Sequence, residues 1–351
     1  MTHLWVRAEE RPNEQRVGIL AEGVARLLAG GMHVTVEENP ARALPIAPYA
    51  EAGADIAAAG SWRTAPEDAI IFGLKELPLD GRPLHHRHIM FGHAYKGQAD
   101  GRRLLEQFKA GGGILYDLEY LVDEEGRRVA AFGYWAGYAG AAVALKCWAA
   151  QQRGGICGPV GVCSGQTALL RDLGAELDAI GPGRPDALII GAKGRVGTGA
   201  ADLCAEMGVA RTLWDLAETA HGGPFPEVLE HALFLNCILA RPGTPVFVPA
   251  EATTAPRRLS VIGDISCDPT SDFSPVKVYD RVTDWERPAL RVHEDPVLDV
   301  TAIDNLPSML PAESSADFAA QLLPSLAALD RLEEGLWARA RAEFDRHVAK
   351  I

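Results

Sequence analysis

The stretch from Asp186 to Gly199 constrains the fold of this chain most strongly, because an apolar run in it breaks into closely spaced glycines before a helical pattern. Leu188 to Ile190 suit a buried parallel strand, and Ala200 to Met207 suit the helix that follows. Glycines let a backbone turn tightly and approach a diphosphate, whose charge a helix N-terminus then meets. The stretch therefore predicts a dinucleotide-binding turn.

The glycine spacing and a later aspartate refine this prediction. Gly191, Gly194 and Gly197 follow the pattern Gly-x-x-Gly-x-x-Gly, one residue longer at the front than the common fingerprint. Asp215 closes the next apolar run, where a Rossmann unit places the acid that binds the adenosine ribose. A carboxylate there favours NAD over NADP, because it repels a ribose phosphate. The alternative is a plain glycine-rich turn with an incidental aspartate.

Composition and charge fit a soluble enzyme that acts on small molecules. The 351 residues are 48% hydrophobic and 23% charged, enough for two domains with separate cores. A net charge of −13 argues against nucleic acid and anionic membranes as partners, because binding them needs a basic surface. No segment approaches a membrane span, and the start lacks the order of a signal peptide. We expect a cytoplasmic monomer or small homo-oligomer.

The cysteines and histidines do not indicate a metal site. The six cysteines form no Cys-x-x-Cys pair, so buried free thiols are expected at Cys147, Cys157, Cys163, Cys204, Cys237 and Cys267. The run from His85 to His88 resembles a metal site, but adjacent strand residues point to opposite faces and no further ligand completes a set. We therefore predict no metal.

Strand-like runs alternate with helical patterns in two series, which is typical of an α/β fold. The first series has a helix over 17–29 and strands over 33–37, 54–58, 69–74, 88–91 and 114–116; the second adds strands over 210–214, 233–237 and 259–265. An apolar helix over 134–151 lies between them, and we expect Gly137 and Gly140 to pack it against an interdomain hinge. These patterns predict two Rossmann-like parallel-sheet domains around an interdomain cleft. The substrate domain spans 1–133 plus 310–351, and the NAD-binding domain spans 134–309.

Polar residues follow three strands of the first series. Lys75, His93 and Glu119 each come shortly after a strand-like run. The carboxyl ends of parallel strands meet at one edge of a sheet, so we expect these side chains to share a pocket. A partly desolvated lysine near another cation has a lowered pKa, and a histidine titrates near neutrality, which suits an acid–base pair. The alternative, which would be more common for either residue alone, is that Lys75 is a solvated lysine at the end of a strand and His93 is a histidine of the core.

Several arginines lie close to apolar sequence rather than in exposed charge runs. They are Arg7, Arg16 and the doublet Arg127-Arg128. Guanidinium groups bind carboxylates in a bidentate manner, so a cluster of them suits a substrate with more than one carboxylate. Ordinary surface salt bridges are the alternative, above all for Arg16.

Eight motifs spread over the chain carry a family resemblance. They are Val6-Arg7-Ala8-Glu9, Gly60-Ser61-Trp62-Arg63-Thr64-Ala65-Pro66, Gly73-Leu74-Lys75-Glu76, His93-Ala94-Tyr95-Lys96, Leu115-Tyr116-Asp117-Leu118-Glu119, Gly126-Arg127-Arg128-Val129-Ala130-Ala131-Phe132-Gly133, Gly222-Gly223-Pro224-Phe225 and Ile303-Asp304-Asn305-Leu306-Pro307-Ser308. Together they resemble the NAD-dependent, lysine-forming saccharopine dehydrogenases, which belong to the alanine dehydrogenase and transhydrogenase superfamily.

The resemblance implies reversible oxidative cleavage of saccharopine to L-lysine and 2-oxoglutarate with reduction of NAD, a reaction of lysine biosynthesis. It implies that Lys75 is the proton acceptor and His93 the proton donor. The implied substrate-contacting residues are Arg7, Lys75, Gln98, Arg128, Phe132, Asp264, Ile265 and Ser266. The implied cofactor-contacting residues are Arg127, Gly194, Arg195, Asp215, Thr219, Leu239, Gly263, Ile303, Asp304, Asn305 and Leu306.

One departure and two alternatives qualify the resemblance. Val196 replaces a cysteine that follows the Gly-Arg pair in the fungal enzymes, so no redox link from there to Cys237 is expected. One alternative is another opine-type or alanine dehydrogenase-like amino-acid dehydrogenase, which the number of carboxylate-binding arginines would distinguish. The other is a catalytically silent NAD-binding protein, against which intact Lys75 and His93 speak.

Overall fold

In the computed structural model, residues 1–11, 14–96 and 99–351 are described. The chain divides into two compact units, Met1–Ala131 with Pro311–Ile351, and Phe132–Leu310. Each unit carries helices around a mostly parallel sheet, which confirms the predicted α/β class with two parallel-sheet domains. None of the helices in these ranges combines the length and apolarity that crossing a bilayer requires.

The helices and strands follow in chain order. The strands are β1 His3–Val6, β2 His33–Glu37, β3 Asp55–Ala57, β4 Ile70–Phe72, β5 Arg87–Met90, β6 Ile114–Asp117, β7 Asp186–Ile190, β8 Ala210–Trp214, β9 Leu233–Asn236, β10 Val261–Asp264, β11 Leu290–Glu294 and β12 Val297–Thr301. The helices are α1 Ala21–Ala29, α2 Ala47–Glu51, α3 Ala99–Gly111, α4 Gly133–Gln152, α5 Gln166–Asp178, α6 Arg195–Glu206, α7 Leu216–Thr219, α8 Pro226–Glu230, α9 Pro311–Leu326 and α10 Gly335–Val348. Short 3-10 helices cover Ser61–Thr64, Ala250–Thr253, Leu306–Met309 and Leu329–Arg331.

The first unit is built on a parallel sheet. Over its described residues the strand order is β3-β2-β1-β4-β5-β6. The central strands are apolar and buried, as in a sheet covered on both faces: Leu4, Ile70, Ile71, Phe72 and Ile89 are all inaccessible to solvent. Successive strands are added on one side of β1 as far as β3 and on its other side from β4 onward, so the carboxyl ends of β1 and β4 flank the crevice where open α/β sheets bind ligands.

Helix α1 begins at Ala21, later than the apolar pattern from Val17 predicts. The N–H of Val17 donates to the Ser315 hydroxyl at 2.9 Å, and Leu20 has an extended backbone at the N-cap. A tertiary hydrogen bond to α9 therefore holds the first apolar residues of the pattern outside the helix.

The sheet of the second unit has the order β11-β12-β10-β9-β7-β8 over the fully described range 132–310, with β11 antiparallel to β12. Helix α4 packs against one face of this sheet and against α6. Most residues of α4 are buried, as the apolar sequence on all sides of the helix predicts.

The predicted packing of α4 against an interdomain hinge is wrong. Gly137 lies on the backbone of α6, where a Cβ would stand 1.8 Å from the Val196 carbonyl oxygen. Gly199 of α6 lies equally close to the Tyr134 carbonyl, and Gly140 faces Ile265. Glycines on both helices permit backbone-to-backbone contact, so α4 is a core helix of the second unit.

The cysteines are free, as predicted, but only half of them are buried. Cys147, Cys204 and Cys237 are buried, whereas Cys157, Cys163 and Cys267 are half-buried. The prediction that all six are buried is therefore wrong for these three, which lie in loops rather than in helices or strands. No group of three or more His, Cys, Asp and Glu side chains in the described part of the chain could hold a metal ion.

Candidate active site

Lys75, His93 and Glu119 follow three neighbouring strands of the first unit. Lys75 comes after β4, His93 after β5 and Glu119 after β6, and these strands lie side by side in that order. The parallel pairing of β4 with β5 and of β5 with β6 puts all three residues at the carboxyl edge of the sheet. This is the edge where ligands bind in open α/β sheets.

His93 and Glu119 are in direct contact. His93 Nδ1 lies 3.7 Å from Glu119 Oε2, and the Lys96 ammonium donates to Glu119 Oε1 at 2.7 Å. The contact with Glu119 raises the pKa of His93, although partial burial opposes it. His93 and then Lys96 lower the pKa of Glu119 to about 2. The contact therefore favours the imidazolium form of His93 beside an ionised Glu119.

The backbone of His93 is unusual for a residue with a side chain. Its φ is 47°, in the left-handed region that favours glycine. Such conformations persist where surrounding structure imposes them, and they occur often at functional sites. Half of the His93 side chain is exposed (49%), so the ring is accessible while its backbone is constrained.

Asp117, at the end of β6, is a site residue that the sequence reasoning missed. Its carboxylate is fully buried, and Oδ1 accepts the N–H of Glu119 at 2.9 Å. Burial raises the pKa of Asp117 to about 6, against the effect of its backbone hydrogen bonds. Asp117 thus fixes the turn that presents Glu119. Its position at the end of an apolar strand is the sequence feature that could have identified it.

A second missed residue, Glu9, holds the main chain at Lys75. Glu9 Oε1 accepts the N–H of Leu74 at 2.6 Å, and Oε2 accepts the N–H of Lys75 at 3.0 Å. The guanidinium of Arg7 donates to the Lys75 carbonyl and lies 3.5 Å from Glu9 Oε2. Both side chains are nearly inaccessible. The structure therefore places Arg7 against the Lys75 backbone, in a loop that follows β1.

Glu14 and Arg16 form a buried ion pair close to Lys75. Glu14 Oε1 accepts from Arg16 Nε at 2.8 Å, and Oε2 accepts from Nη2 at 2.6 Å. Burial opposes the ionisation of Glu14, but Arg16, with a smaller effect of Lys75, lowers its pKa. Because both side chains are buried, the surface salt bridge considered for Arg16 is excluded.

The buried carboxylate of Glu37 organises the loop that carries Arg7 and Glu9. It accepts hydrogen bonds from the Trp5 indole at 2.9 Å, from the N–H of Ala8 at 2.9 Å and from the N–H of Gly60 at 2.8 Å. A carboxylate at the end of β2 thereby joins two loops at the carboxyl edge of the sheet. Sequence reasoning assigned no role to this residue.

The remaining residues proposed for the substrate or cofactor in the first unit are more dispersed. Arg127 is exposed and pairs with Asp123 at 3.0 Å and Glu125 at 3.1 Å within one turn. The neighbouring Arg128 is also exposed, and its backbone forms an isolated antiparallel β-bridge with Val122. Gln98 lies outside the described residues.

The glycine turn of the second unit has the geometry that the sequence predicts. Gly191 follows β7 with a φ of 87°, and Gly194 is the N-cap of α6, whose first residue is Arg195. At Gly197 a Cβ would stand 2.1 Å from the Gly191 carbonyl oxygen, so only glycine lets α6 approach the turn. The first-turn N–H groups of a helix have no intrahelical acceptor. The turn therefore presents donors to an anion.

Asp215 stands at the end of β8, beside the glycine turn. Its Oδ2 accepts the N–H of Lys193 at 2.9 Å, and its Oδ1 accepts the N–H of Leu216 at 2.9 Å. The Glu218 carboxylate accepts the N–H of Asp215 at 2.7 Å, which completes a capping box on α7. The acid is thus fixed against the turn by the backbone on both sides.

Other residues implied for the cofactor lie in or after strands at the same edge of this sheet. Thr219 ends α7 after β8, Leu239 follows β9, Gly263 is in β10, and Ile303, Asp304, Asn305 and Leu306 follow β12. Leu216 and Leu239 are among the most exposed large apolar residues described, at 83% and 68%. They follow the strands on either side of β7, so apolar surface flanks the glycine turn.

Asp264, Ile265 and Ser266 follow one another at the end of β10. Asp264 is buried, and its carboxylate accepts from Asn236 at 3.0 Å, from Ser266 at 2.9 Å and from the Tyr279 hydroxyl at 2.7 Å. Ile265 packs against Gly140 of α4. Asp264 therefore joins the ends of β9 and β10 to Tyr279 through hydrogen bonds within the second unit.

The comparisons with known proteins agree on a family. Residues 5–139 match the family model described as alanine dehydrogenase/PNT, N-terminal domain. The chain is 41% identical to saccharopine dehydrogenase [NAD(+), L-lysine-forming] of Candida albicans, over 99% of this chain and 97% of that protein. It is 42% identical to the protein of the same name in Yarrowia lipolytica, over 99% and 98%.

The solved structures show the same fold at low identity. An L-alanine dehydrogenase superposes with a TM-score of 0.69 at 19% identity, covering 99% of this chain and 94% of the other. A transhydrogenase from Sinorhizobium meliloti superposes with a TM-score of 0.62 at 16% identity, covering 94% and 95%.

Proposed function

Since this chain belongs to the NAD-dependent, lysine-forming saccharopine dehydrogenase family, we propose that Lys75 and His93 carry out its acid–base chemistry. The chain is an NAD-dependent oxidoreductase that acts on the CH–NH group of a secondary amine. It cleaves saccharopine to L-lysine and 2-oxoglutarate, and the reaction is reversible. The observation that carries this conclusion is identity of 41–42% over essentially the whole length of both chains.

The residues of the second unit fit NAD. Gly197 lets the N-terminus of α6 approach the glycine turn, where its N–H groups can meet the charge of a diphosphate. The carboxylate of Asp215 accepts backbone N–H groups at both oxygens, including that of the capping box, and retains acceptor capacity for a ribose hydroxyl. Exposed Leu216 and Leu239 offer apolar surface to an adenine ring. When bound, NAD+ accepts a hydride from the carbon next to the substrate amine.

Lys75 suits the role of proton acceptor. The secondary amine must lose its proton before hydride leaves the adjacent carbon, so a base is needed at the nitrogen. Lys75 is half-buried, its main chain is fixed by Glu9, and its charge acts on buried Glu14. A base of fixed position can meet the amine without reorganisation.

His93 suits the role of proton donor at the later stage. Water attacks the imine that oxidation leaves on the substrate, and the departing lysine nitrogen then needs a proton. The contact with Glu119 raises the pKa of His93 and keeps the ring protonated to higher pH. The constrained backbone of His93 holds this donor at the edge of the sheet.

The proposal extends to the other implied contacts. Arg7, Gln98, Arg128, Phe132 and Asp264 to Ser266 are assigned to saccharopine, whose three carboxylates require several cations. Arg127, Thr219, Gly263 and Ile303 to Leu306 are assigned with Gly194, Arg195, Asp215 and Leu239 to NAD. We also propose a cytoplasmic enzyme that acts as a monomer or small homo-oligomer, which cell fractionation and light scattering would test.

The test of the activity is NADH formation followed by absorbance. We expect turnover with saccharopine and none of comparable efficiency with alanine or with opines that carry fewer carboxylates. Lys75→Met and His93→Gln should each lower kcat by about 10²–10⁴-fold while NAD affinity stays near its wild-type value. Lys109→Met and His85→Gln, on the same unit, are the matched controls and should retain activity. Efficient turnover of alanine alone would contradict the substrate assignment.

A further inference from the structure

Cys147 and Cys157 form a thiol pair outside the proposed active site. Cys147 lies in α4 and is inaccessible to solvent, within the core of the second unit. Cys157 lies in the loop after this helix, is half-buried and packs against the same core. Cys157 lines one pocket together with Lys146 and Ala150, which flank Cys147 on the helix, and each of the two thiols acts on the pKa of the other.

The backbone brings the two cysteines together by reversing at the end of α4. The N–H of Gly155 donates to the Ala150 carbonyl at 3.0 Å, so the residues that follow run back alongside the helix. Arg291 donates to the Gly155 carbonyl at 2.8 Å, and the N–H of Val160 donates to the Trp285 carbonyl at 2.8 Å. These anchors on both sides of Cys157 fix the loop at the thiol pair.

Cys157 has access to solvent through a pocket, whereas Cys147 does not. The pocket holds about 280 Å³ and is lined by Cys157 together with Lys146, Arg153 and Glu176. Lys146 and Arg153 donate to Glu176 at 2.8 Å and 2.6 Å, so two cations and one carboxylate border the opening. A small polar oxidant can therefore reach one thiol of the pair and not the other.

The electrostatics give the two thiols different roles. The hydrogen bond from Cys147 and the charge of Lys146 lower the pKa of Cys157, although burial opposes this. The same hydrogen bond, with burial, raises the pKa of Cys147. A thiolate is the reactive form of cysteine, so Cys157 is the nucleophile and Cys147 remains a thiol.

We propose that Cys157 and Cys147 are an oxidation site that a small hydroperoxide converts to a disulfide. The Cys157 thiolate attacks one peroxide oxygen; the S–O bond forms, the O–O bond breaks, and the leaving oxygen takes up a proton as water. Cys147 then attacks the sulfur of the Cys157 sulfenic acid, the S–S bond forms, and the hydroxyl leaves as a second water with the Cys147 proton. Two thiols are oxidised and one peroxide is reduced.

The disulfide would tie the loop after α4 to the helix itself. This pair is separate from the position of Val196 and Cys237. It requires no contact with the nucleotide or the amine, so it is independent of the proposed function.

The test is peptide mapping of the wild-type protein by mass spectrometry under non-reducing conditions after treatment with hydrogen peroxide. We expect a peptide cross-linked through Cys147 and Cys157 that dithiothreitol separates. In Cys147→Ser we expect dimedone to trap a sulfenic acid at Cys157, because the second thiol is missing. Cys163→Ser, which changes another half-buried thiol, is the matched control and should retain the cross-link.

Three outcomes would overturn the proposal. They are oxidation of Cys157 in the wild-type protein without a bond to Cys147, a cross-link from Cys157 to Cys163 instead, and reaction of Cys163 as fast as that of Cys157. We expect Cys157 to react about tenfold faster than Cys163, because its thiolate is favoured by Cys147 and Lys146. The wild-type measurement decides the outcome even if a variant folds poorly.

Discussion

The carboxylate of Glu9 accepts the backbone N–H of Lys75 at 3.0 Å and the preceding N–H, of Leu74, at 2.6 Å. Arg7 donates to the carbonyl of the same lysine. The main chain of the proposed proton acceptor is thus held by two side chains of a different strand end. This arrangement fixes the position from which the lysine side chain extends.

Replacement of Glu9 by Gln should lower kcat by about 10–100-fold, because small misplacement of a catalytic group has effects of this size. The amide would oppose a donor to the N–H groups of Leu74 and Lys75, so the loop after β4 would shift. Steady-state kinetics should show the loss in kcat, with NAD affinity unchanged. Glu10→Gln, at the exposed neighbouring position, is the control. Wild-type kcat in a Glu9→Gln protein of normal thermal stability would rule out the positioning role.

Replacement of Glu119 by Gln should shift the pH dependence of activity. The Glu119 carboxylate raises the pKa of His93, so its loss lowers that pKa. A proton donor works only when protonated, and the alkaline decline of kcat/KM should therefore move to lower pH. A pH–rate profile measures the shift, with Glu124→Gln as the control from the exposed turn nearby. An unmoved alkaline limb would show that His93 does not set it.

Replacement of Asp215 by Asn should weaken NAD binding by about 1.5–3 kcal/mol, the usual contribution of a hydrogen bond to a charged group. That corresponds to about a 10–100-fold rise in the dissociation constant. Asn keeps one acceptor oxygen, which is enough for the Leu216 N–H at the start of α7 but not for the Lys193 N–H as well. Calorimetric titration with NAD provides the measurement, and Asp172→Asn on α5 is the control. Unchanged affinity would remove Asp215 from the nucleotide site.

Replacement of His88 by Leu should make the protein more resistant to acid. His88 is buried between the rings of Trp62 and Phe108, and burial, with a smaller effect of Arg7, holds its pKa well below 6.5. A depressed folded-state pKa gives stability that is present above about pH 6.5 and is lost as the pH falls below it.

The His88→Leu protein should therefore unfold at lower pH than the wild type in an acid titration followed by circular dichroism. His85→Leu changes an exposed histidine three residues earlier and should leave the midpoint in place. If the two variants have the same acid midpoint, His88 does not determine acid sensitivity.

Replacement of Gly199 by Ala should destabilise the second unit by about 1–3 kcal/mol or more, as overpacking does. The added Cβ would stand 1.9 Å from the Tyr134 carbonyl oxygen of α4. Gly174→Ala in α5 is the matched control, because its Cβ meets nothing within 4 Å. That control should gain about 0.5–1 kcal/mol from helix propensity. Denaturant unfolding distinguishes the two signs, and equal effects would contradict the close packing of α4 on α6.

Regular elements with a strong local pattern could be predicted from the sequence. Strands β2 and β8 have the predicted bounds, because their apolar runs are bracketed by glycine or polar residues. Helix α3 was overlooked, although Leu104, Leu105 and Phe108 recur at helical spacing in it. The hairpin of β11 and β12 was also overlooked, since its short strands of mixed polarity give a weak signal.

The residues that hold the proposed site could not be predicted in the same way. Lys75 and His93 follow apolar strands, and that position indicates a ligand edge. Glu9 and Glu37 act on backbone N–H groups distant in sequence, and no local pattern encodes such a contact. Arg127 was predicted to contact a ligand, but its side chain forms ion pairs with Asp123 and Glu125 of the same turn. The sequence places these acids near Arg127 but does not show that they bind it.

The strand order β3-β2-β1-β4-β5-β6 of the first unit is the arrangement usually associated with nucleotide binding, yet the glycine turn lies in the other unit. A classification based on topology alone would assign NAD to the first unit, whereas the proposed NAD site is in the second. At the corresponding crevice the first unit presents buried charged side chains, Arg7 and Glu9, in place of a bare backbone. The two units thus differ in what lines the turn after their first strand, so ligand assignment in such a protein depends on that loop.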